Sequence, residues 1–274
     1  MMFRFRKLYA DVVAGDGSVT VVYLTWLEAL GARLAWAGIE RYGPDGRRAV
    51  YHARPPGWDF DPDAVRHGWH VRLELLDGAC ELHYSGMLPP WHPAGPPPHD
   101  AIEWRVLIPR ATVTGRWTGG GADATMTGIG YCDWVELRRP PRLLGMRRLC
   151  WGRAHLASET VVFSALRFGS GRTWSRAARW HGRTAPRDPG VSVVSDGTGG
   201  VEILMADAAP VALISARLLH DGSGLDRQRF PGVPVRLLAR ALTGAMHERR
   251  WLAVPARLGD TGSGWAVHEV VSFA

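Results

Sequence analysis

Cysteine is scarce in this 274-residue chain. Cys80, Cys132 and Cys150 are odd in number and lack zinc-type spacing, so the sequence encodes neither a disulfide framework nor a zinc knuckle. Lysine is rarer still, Lys7 standing alone among 33 basic residues. A net charge of +7 and a pI near 9.9 raise the question of a nucleic-acid partner. The arginines are spread along the chain, however, and the only dense group is Arg138, Arg139, Arg142, Arg147 and Arg148. The exclusion of lysine points to a GC-rich coding sequence rather than a phosphate-binding surface, and no nucleic-acid partner is expected.

No apolar run approaches the ~20 residues needed to span a bilayer, so no stable membrane insertion is expected. The basic start, Met1 to Lys7, runs into Asp11 and Asp16 instead of an apolar core, so no secretory signal peptide is expected. With reduced cysteines, the expectation is a soluble cytoplasmic protein. Also missing are a phosphate-cradling glycine loop, a GxSxG elbow and an HExxH pair, so no cofactor and no metal are expected.

What is present is a balance of 46% hydrophobic and 22% charged residues, which builds an ordinary core, and 13 tryptophans. The dominant period is two, the mark of strands with one face buried. Val71, Leu73 and Leu75 alternate with Arg72 and Glu74, and Trp104, Val106 and Ile108 alternate with Arg105 and Leu107. Similar runs cover about 5–13, 19–27, 33–42, 48–54, 79–87, 111–118 and 125–136. Arg139-Pro140-Pro141-Arg142-Leu143-Leu144-Gly145 breaks the pattern, because proline removes ladder donors. Strands resume at about 148–156, 159–167, 173–181, 191–195, 201–206, 210–220, 247–255 and 264–273.

Gly15-Asp16-Gly17, Asp45-Gly46, Asp77-Gly78, Asp196-Gly197 and Asp221-Gly222 supply the tight turns of an antiparallel meander. The expected fold is all-β: two antiparallel lipocalin-like barrels packed side by side, over 1–140 and 146–274. Closure removes exposed edges, and eight strands leave room for one small ligand. A single long sandwich is the alternative. One short helix is expected near 234–243, where Leu238 and Leu242 follow Pro234 at helical spacing, and Trp91 to His99 reads as a proline-rich loop.

In the strand Gly130 to Glu136, Tyr131, Asp133 and Val135 share one face, and Cys132, Trp134 and Glu136 the other. If Asp133 faces a lumen, lost hydration raises its pKa and makes it a candidate general acid; otherwise it is a solvent-exposed or strand-ending residue. Trp151, Arg153 and His155 share a face, as a solvated surface or a polar pocket lining from which Arg153 reaches Asp133. Small residues opposite them, at Gly152 and Ala154, suggest close packing against the other barrel. Glu81, His83 and Ser85 form a third such face.

Gly128-Ile129-Gly130-Tyr131-Cys132-Asp133, then Cys150-Trp151-Gly152-Arg153-Ala154-His155 and Val161-Val162-Phe163, resemble the signature of the carotenoid 1,2-hydratase (hydroxyneurosporene synthase) and AttH-like double-lipocalin family. Its pattern is G-x-G-Y-H-D-H-N-W-G followed by W-x-W-G-R-A-H. Trp104 to Pro109, Val113 to Trp117 and Leu8-Tyr9-Ala10-Asp11 resemble neighbouring strands of that family. The resemblance implies two barrels and a long apolar substrate handled without a cofactor, by hydration of carotenoid double bonds or by cyclisation of polyketides through 4+2 cycloaddition.

Cys132 stands at the family's first histidine, and Trp134 to Leu137 replace H-N-W-G. Only Tyr131 and Asp133 of the polar cluster persist. Hydration needs a strong proton relay, whereas a cycloaddition needs orientation and one hydrogen bond. The resemblance therefore implies a Diels-Alderase-like cyclase of a hydrophobic polyketide or polyene in specialised metabolism. Tyr131 and Asp133 would be catalytic, with Trp104, Trp134, Trp151, Arg153, His155 and His83 binding substrate. A hydratase or terpenoid cyclase with Asp133 as acid, and a non-catalytic lipid carrier, remain open, as does the oligomeric state.

Overall fold

A computed structural model describes residues 3–54, 56–65, 68–93, 100–119, 123–187, 190–196, 198–206, 208–223, 236–237, 240–242, 244–257 and 264–274. The chain divides into two compact units, residues 1–92 with 100–139 and residues 93–99 with 140–274. No helix among the described residues is long and apolar enough to cross a membrane.

In the first unit, β1 (Phe3–Ala14), β2 (Val19–Ala29), β3 (Ala32–Tyr42), β4 (Arg48–Ala53), β5 (Gly68–Leu75), β6 (Gly78–Gly86), β7 (Ile102–Gly119) and β8 (Ala124–Leu137) form a closed antiparallel barrel in chain order. Pairing of β1 with β8 closes it, Leu8 facing Trp134 and Tyr9 facing Asp133. The short runs expected at 104–108 and 111–118 are one strand. Pro109 sits where its register against β8 shifts between Ile108 and Ala111, a place where a missing N–H is tolerated.

Even-numbered residues of β1, β2 and β8 point inward: Leu8, Ala10 and Val12, then Val22, Leu24 and Trp26, then Cys132 and Trp134. Trp26 lies 5.7 Å from Trp134, and Phe60 stacks on Trp134 at 6.1 Å. These rings fill the space that eight strands enclose, so this interior is a packed core.

Gly130 sits at a close approach of strands in this wall. A Cβ there would meet Val113 Cγ2 at 2.4 Å, the Asp11 carbonyl oxygen at 2.6 Å and Tyr84 Cε1 at 2.8 Å. Through that gap the Tyr84 hydroxyl donates to the Asp11 carbonyl oxygen at 3.3 Å. Gly130→Ala should therefore push β1 from β8 and lower stability by about 1–3 kcal/mol, measured by urea unfolding.

The second unit holds β9 (Met146–His155), β10 (Glu159–Phe168), β11 (Thr173–His181), β12 (Val191–Ser195), β13 (Val201–Met205), β14 (Ala208–Ser223), β15 (Met246–Arg257) and β16 (Trp265–Phe273). They form one antiparallel sheet in the order β11-β10-β9-β16-β15-β14-β13-β12, whose end strands approach each other to leave the barrel nearly closed. Its core includes Cys150, Ala154, Leu156, Val161, Phe163, Ile203, Leu213 and Trp251. The small residues of β9 thus face this barrel's own core, correcting the expectation that they pack against a second barrel. At Gly152 a Cβ would meet the Val267 carbonyl oxygen at 2.6 Å.

Gly17, Gly46 and Gly78 have the positive φ expected of their turns. Asp221-Gly222 is no turn: it lies inside β14, Gly222 facing Glu248. Gly197 lies outside the described residues, but the Asp196 carboxylate accepts from the backbone N–H groups of Thr198, Gly199 and Gly200 at 2.7–3.1 Å. Half of the helix expected near 234–243 lies outside the described residues, and Arg236, Leu237 and Arg240 to Leu242 are helical. Within the proline-rich loop, residues 94–99 lie outside them too, and Trp91 makes a β-bridge to Val106.

Candidate active site

Because β1 and β8 turn their small inward residues, Ala10 and Cys132, to the core, the residues on either side point out of the barrel. These are Tyr9 and Asp11 on β1 and Tyr131 and Asp133 on β8. All four are nonetheless at most 3% exposed. The two strands run antiparallel with Tyr9 opposite Asp133 and Asp11 opposite Tyr131, so two Tyr-x-Asp segments interlock head to tail.

Each tyrosine donates to the aspartate two residues along its own strand: Tyr9 Oη to Asp11 Oδ2 at 2.8 Å, and Tyr131 Oη to Asp133 Oδ2 at 2.9 Å. Trp104 on β7 donates its Nε1–H to the same Asp133 Oδ2 at 3.0 Å. Two donors on one oxygen leave the other, Oδ1, as the oxygen that takes the proton when the carboxyl is neutral. Trp91 packs edge-on against Trp104, ring centres 5.4 Å apart, and steadies it. The Lys7 ammonium lies over the Tyr23 ring at 4.5 Å, and Tyr23 meets Tyr9 edge-on at 5.6 Å.

Burial pushes the Asp133 carboxyl up to about 7. The hydrogen bonds from Trp104 and Tyr131 and the attraction of Lys7 oppose that rise, and the Asp11 charge assists it. A carboxyl poised there can donate or accept a proton at neutral pH. The Cys132 thiol, buried in the core, is driven far above its ordinary value and is inert.

Of the residues picked from the sequence, Tyr131, Asp133 and Trp104 come together. Asp133 is neither lumen-facing nor solvent-exposed: it lies on a buried outer face. Trp134 does not join it, because it points to the opposite side, into the core against Trp26 and Phe60. His83 lies on the outer face of β5 and β6, stacked on His70 and exposed. Trp151, Arg153 and His155 occupy the outer face of β9 in the second unit and are buried at 9%, 1% and 4% exposure, so they are no solvated surface. There His155 Nδ1 lies 3.2 Å from Thr160 Oγ1, and Arg179 pairs with Glu159 at 2.7 Å.

Sequence reasoning missed Tyr9, Asp11, Tyr23 and Lys7 as members of the cluster. Their signal was the repeated Tyr-x-Asp, present at both 9–11 and 131–133.

No protein-family model matches the chain, and no curated protein matches it by sequence. Solved structures do. A protein assigned as an AttH from Nitrosomonas europaea is similar with a TM-score of 0.68 at 14% identity, over 100% of this chain and 93% of the other. CghA, seen with Sch210972, is similar with a TM-score of 0.64 at 13% identity, over 100% and 89%. Kievitone hydratase from Nectria haematococca follows with a TM-score of 0.59 at 9% identity, over 98% and 88%. The resemblance read from Gly128 to Phe163 agrees with these likenesses, and the chain has the double-barrel fold that the three proteins share.

Proposed function

We propose that this chain is an enzyme that folds and cyclises a hydrophobic polyene- or polyketide-like chain, with no cofactor taking part in the bond-forming step. The observation that carries the reading is the Asp133 carboxyl, pushed to about 7 by burial and fixed in place by two donors on one oxygen. In its neutral form it donates a hydrogen bond from Oδ1 to a substrate carbonyl, lowering the energy of the adjoining dienophile. Trp104, Tyr9 and Tyr23 offer aromatic faces that fix the course of an apolar chain. Such orientation removes several kcal/mol of the barrier without any redox or proton-transfer chemistry. CghA seen with Sch210972 supports a small-molecule role for the fold.

A second reading is favoured by one feature. Asp11 brings another carboxylate diagonally across the β1–β8 ladder, so an acid and a base for water lie on one face. That pair suits addition of water to an alkene, the reaction in the name of kievitone hydratase.

The two readings separate by mass. A linear polyene bearing an activated carbonyl, incubated with the protein in ¹⁸O-water, should give a product isomeric with the substrate and free of label. A product heavier by one labelled water establishes hydration instead. Tight binding with no conversion of any such polyene refutes both and leaves a carrier.

A further inference from the structure

We propose that His70, Glu81 and His83 form a surface site for a divalent transition-metal ion such as Zn²⁺. The β5–β6 hairpin builds it. Leu75 pairs with Gly78 across a two-residue turn, and that register sets His70 directly opposite His83. Glu81, two residues before His83, lies on the same face of the sheet.

The two imidazole rings are nearly parallel, 8° apart with centres at 4.0 Å. Glu81 Oε1 lies 2.7 Å from His70 Nε2 and 3.7 Å from His83 Nε2. One donor atom from each residue falls within 4.8 Å of the others. In a tetrahedral zinc site, bonds near 2.0–2.2 Å put neighbouring donors about 3.3 Å apart. Side-chain rotation alone closes that difference, with no movement of the strands.

The donor set selects the ion. Two imidazoles and one carboxylate suit Zn²⁺, Ni²⁺ or Cu²⁺, whereas Ca²⁺ and Mg²⁺ require oxygen ligands. The flanking arginines make their hydrogen bonds elsewhere. Arg72 and Arg116 face Glu81 in the ladder, but Arg72 donates to Glu74 at 2.7 Å and Arg116 to Asp123 at 2.8 Å. As an exposed ion pair alone, His70–Glu81 adds little to stability. A cation bound by both rings and the carboxylate would tie β5 to β6 and leave a fourth position for water or an exogenous ligand.

The site stands apart from the Asp133 cluster. His83 faces Thr114 on β7, which faces Thr127 on β8, six residues before Asp133. At strand spacing that is roughly 20 Å along the sheet.

The test is calorimetric titration of the full chain, freed of any histidine tag, with ZnCl₂. One saturable site per chain is expected, weakened about tenfold or more in each of His70→Ala, His83→Ala and Glu81→Gln and lost in the double histidine variant. ZnCl₂ should raise the melting temperature of the wild type in proportion to the logarithm of its concentration, and CaCl₂ should not. Circular dichroism confirms that these exposed variants stay folded. Absence of a saturable site in the wild type, or undiminished binding by the double variant, overturns the proposal.

Discussion

Asp133→Asn should lower turnover about 100-fold while leaving the first barrel folded. Asparagine fills the same volume, and its side-chain oxygen can still accept from Tyr131 and Trp104, which converge on Oδ2 at 2.9 and 3.0 Å. What it lacks is the acidic O–H. Tyr131→Phe removes only one of the two donors and should cost about tenfold. Unchanged rates in both variants would remove the pair from the mechanism. Because the neutral carboxyl is the active form, the wild-type rate should fall as pH rises through about 7.

The same group makes stability depend on pH with a defined sign. Its carboxyl has an ordinary value of 3.8 and is pushed to about 7 in the folded chain. Between those values the folded protein keeps a proton that the unfolded chain has released. Stability from this group is therefore full below about pH 4, declines as pH rises, and is lost above about pH 7. A shift of that size corresponds to on the order of 4 kcal/mol. Asp133→Asn should match the wild type near pH 4 in urea unfolding and exceed it at pH 8.

Arg250→Ala should destabilise the second unit by about 3–5 kcal/mol. Arg250 is fully buried on the outer face of β15. It donates to Glu248 on its own strand at 2.6 Å and to Glu269, directly opposite on β16, at 2.8 and 3.1 Å. Removing the guanidinium leaves two carboxylates buried without that cation, and neither can regain water. The triple variant Glu248→Leu, Arg250→Met, Glu269→Leu should recover much of the loss, because the three mutually paired charges are then removed together. A loss under about 1 kcal/mol in Arg250→Ala would mean that the triad is solvated in solution.

Strands with one wet face were legible, as in β5, where Val71 and Leu73 are buried and His70, Arg72 and Glu74 are exposed. Sidedness was not legible in β1 and β8. Every residue from Leu8 to Val13 is buried, as is every one from Tyr131 to Trp134. When both faces are covered, alternation shows which residues share a face and not which face is the core. Trp134 lies on the face opposite Asp133, as the alternation itself requires, and so cannot line the same space. The partnership of Tyr9 with Asp133 depends on the pairing that closes the barrel, between strands at opposite ends of the unit, and no local signal specifies it. The stacking of His70 on His83, by contrast, follows once Leu75 is paired with Gly78 across the Asp77 turn, since every later register position is then fixed.

Titration of the Asp133 carboxyl carbon, by NMR of protein ¹³C-labelled at aspartate with Asp133→Asn as the assignment control, tests the central claim most directly. A midpoint near pH 7 is expected for the group held in this cluster. A midpoint in the ordinary aspartate range, near 4, would contradict it and leave the interlocked Tyr-x-Asp pair a purely structural feature.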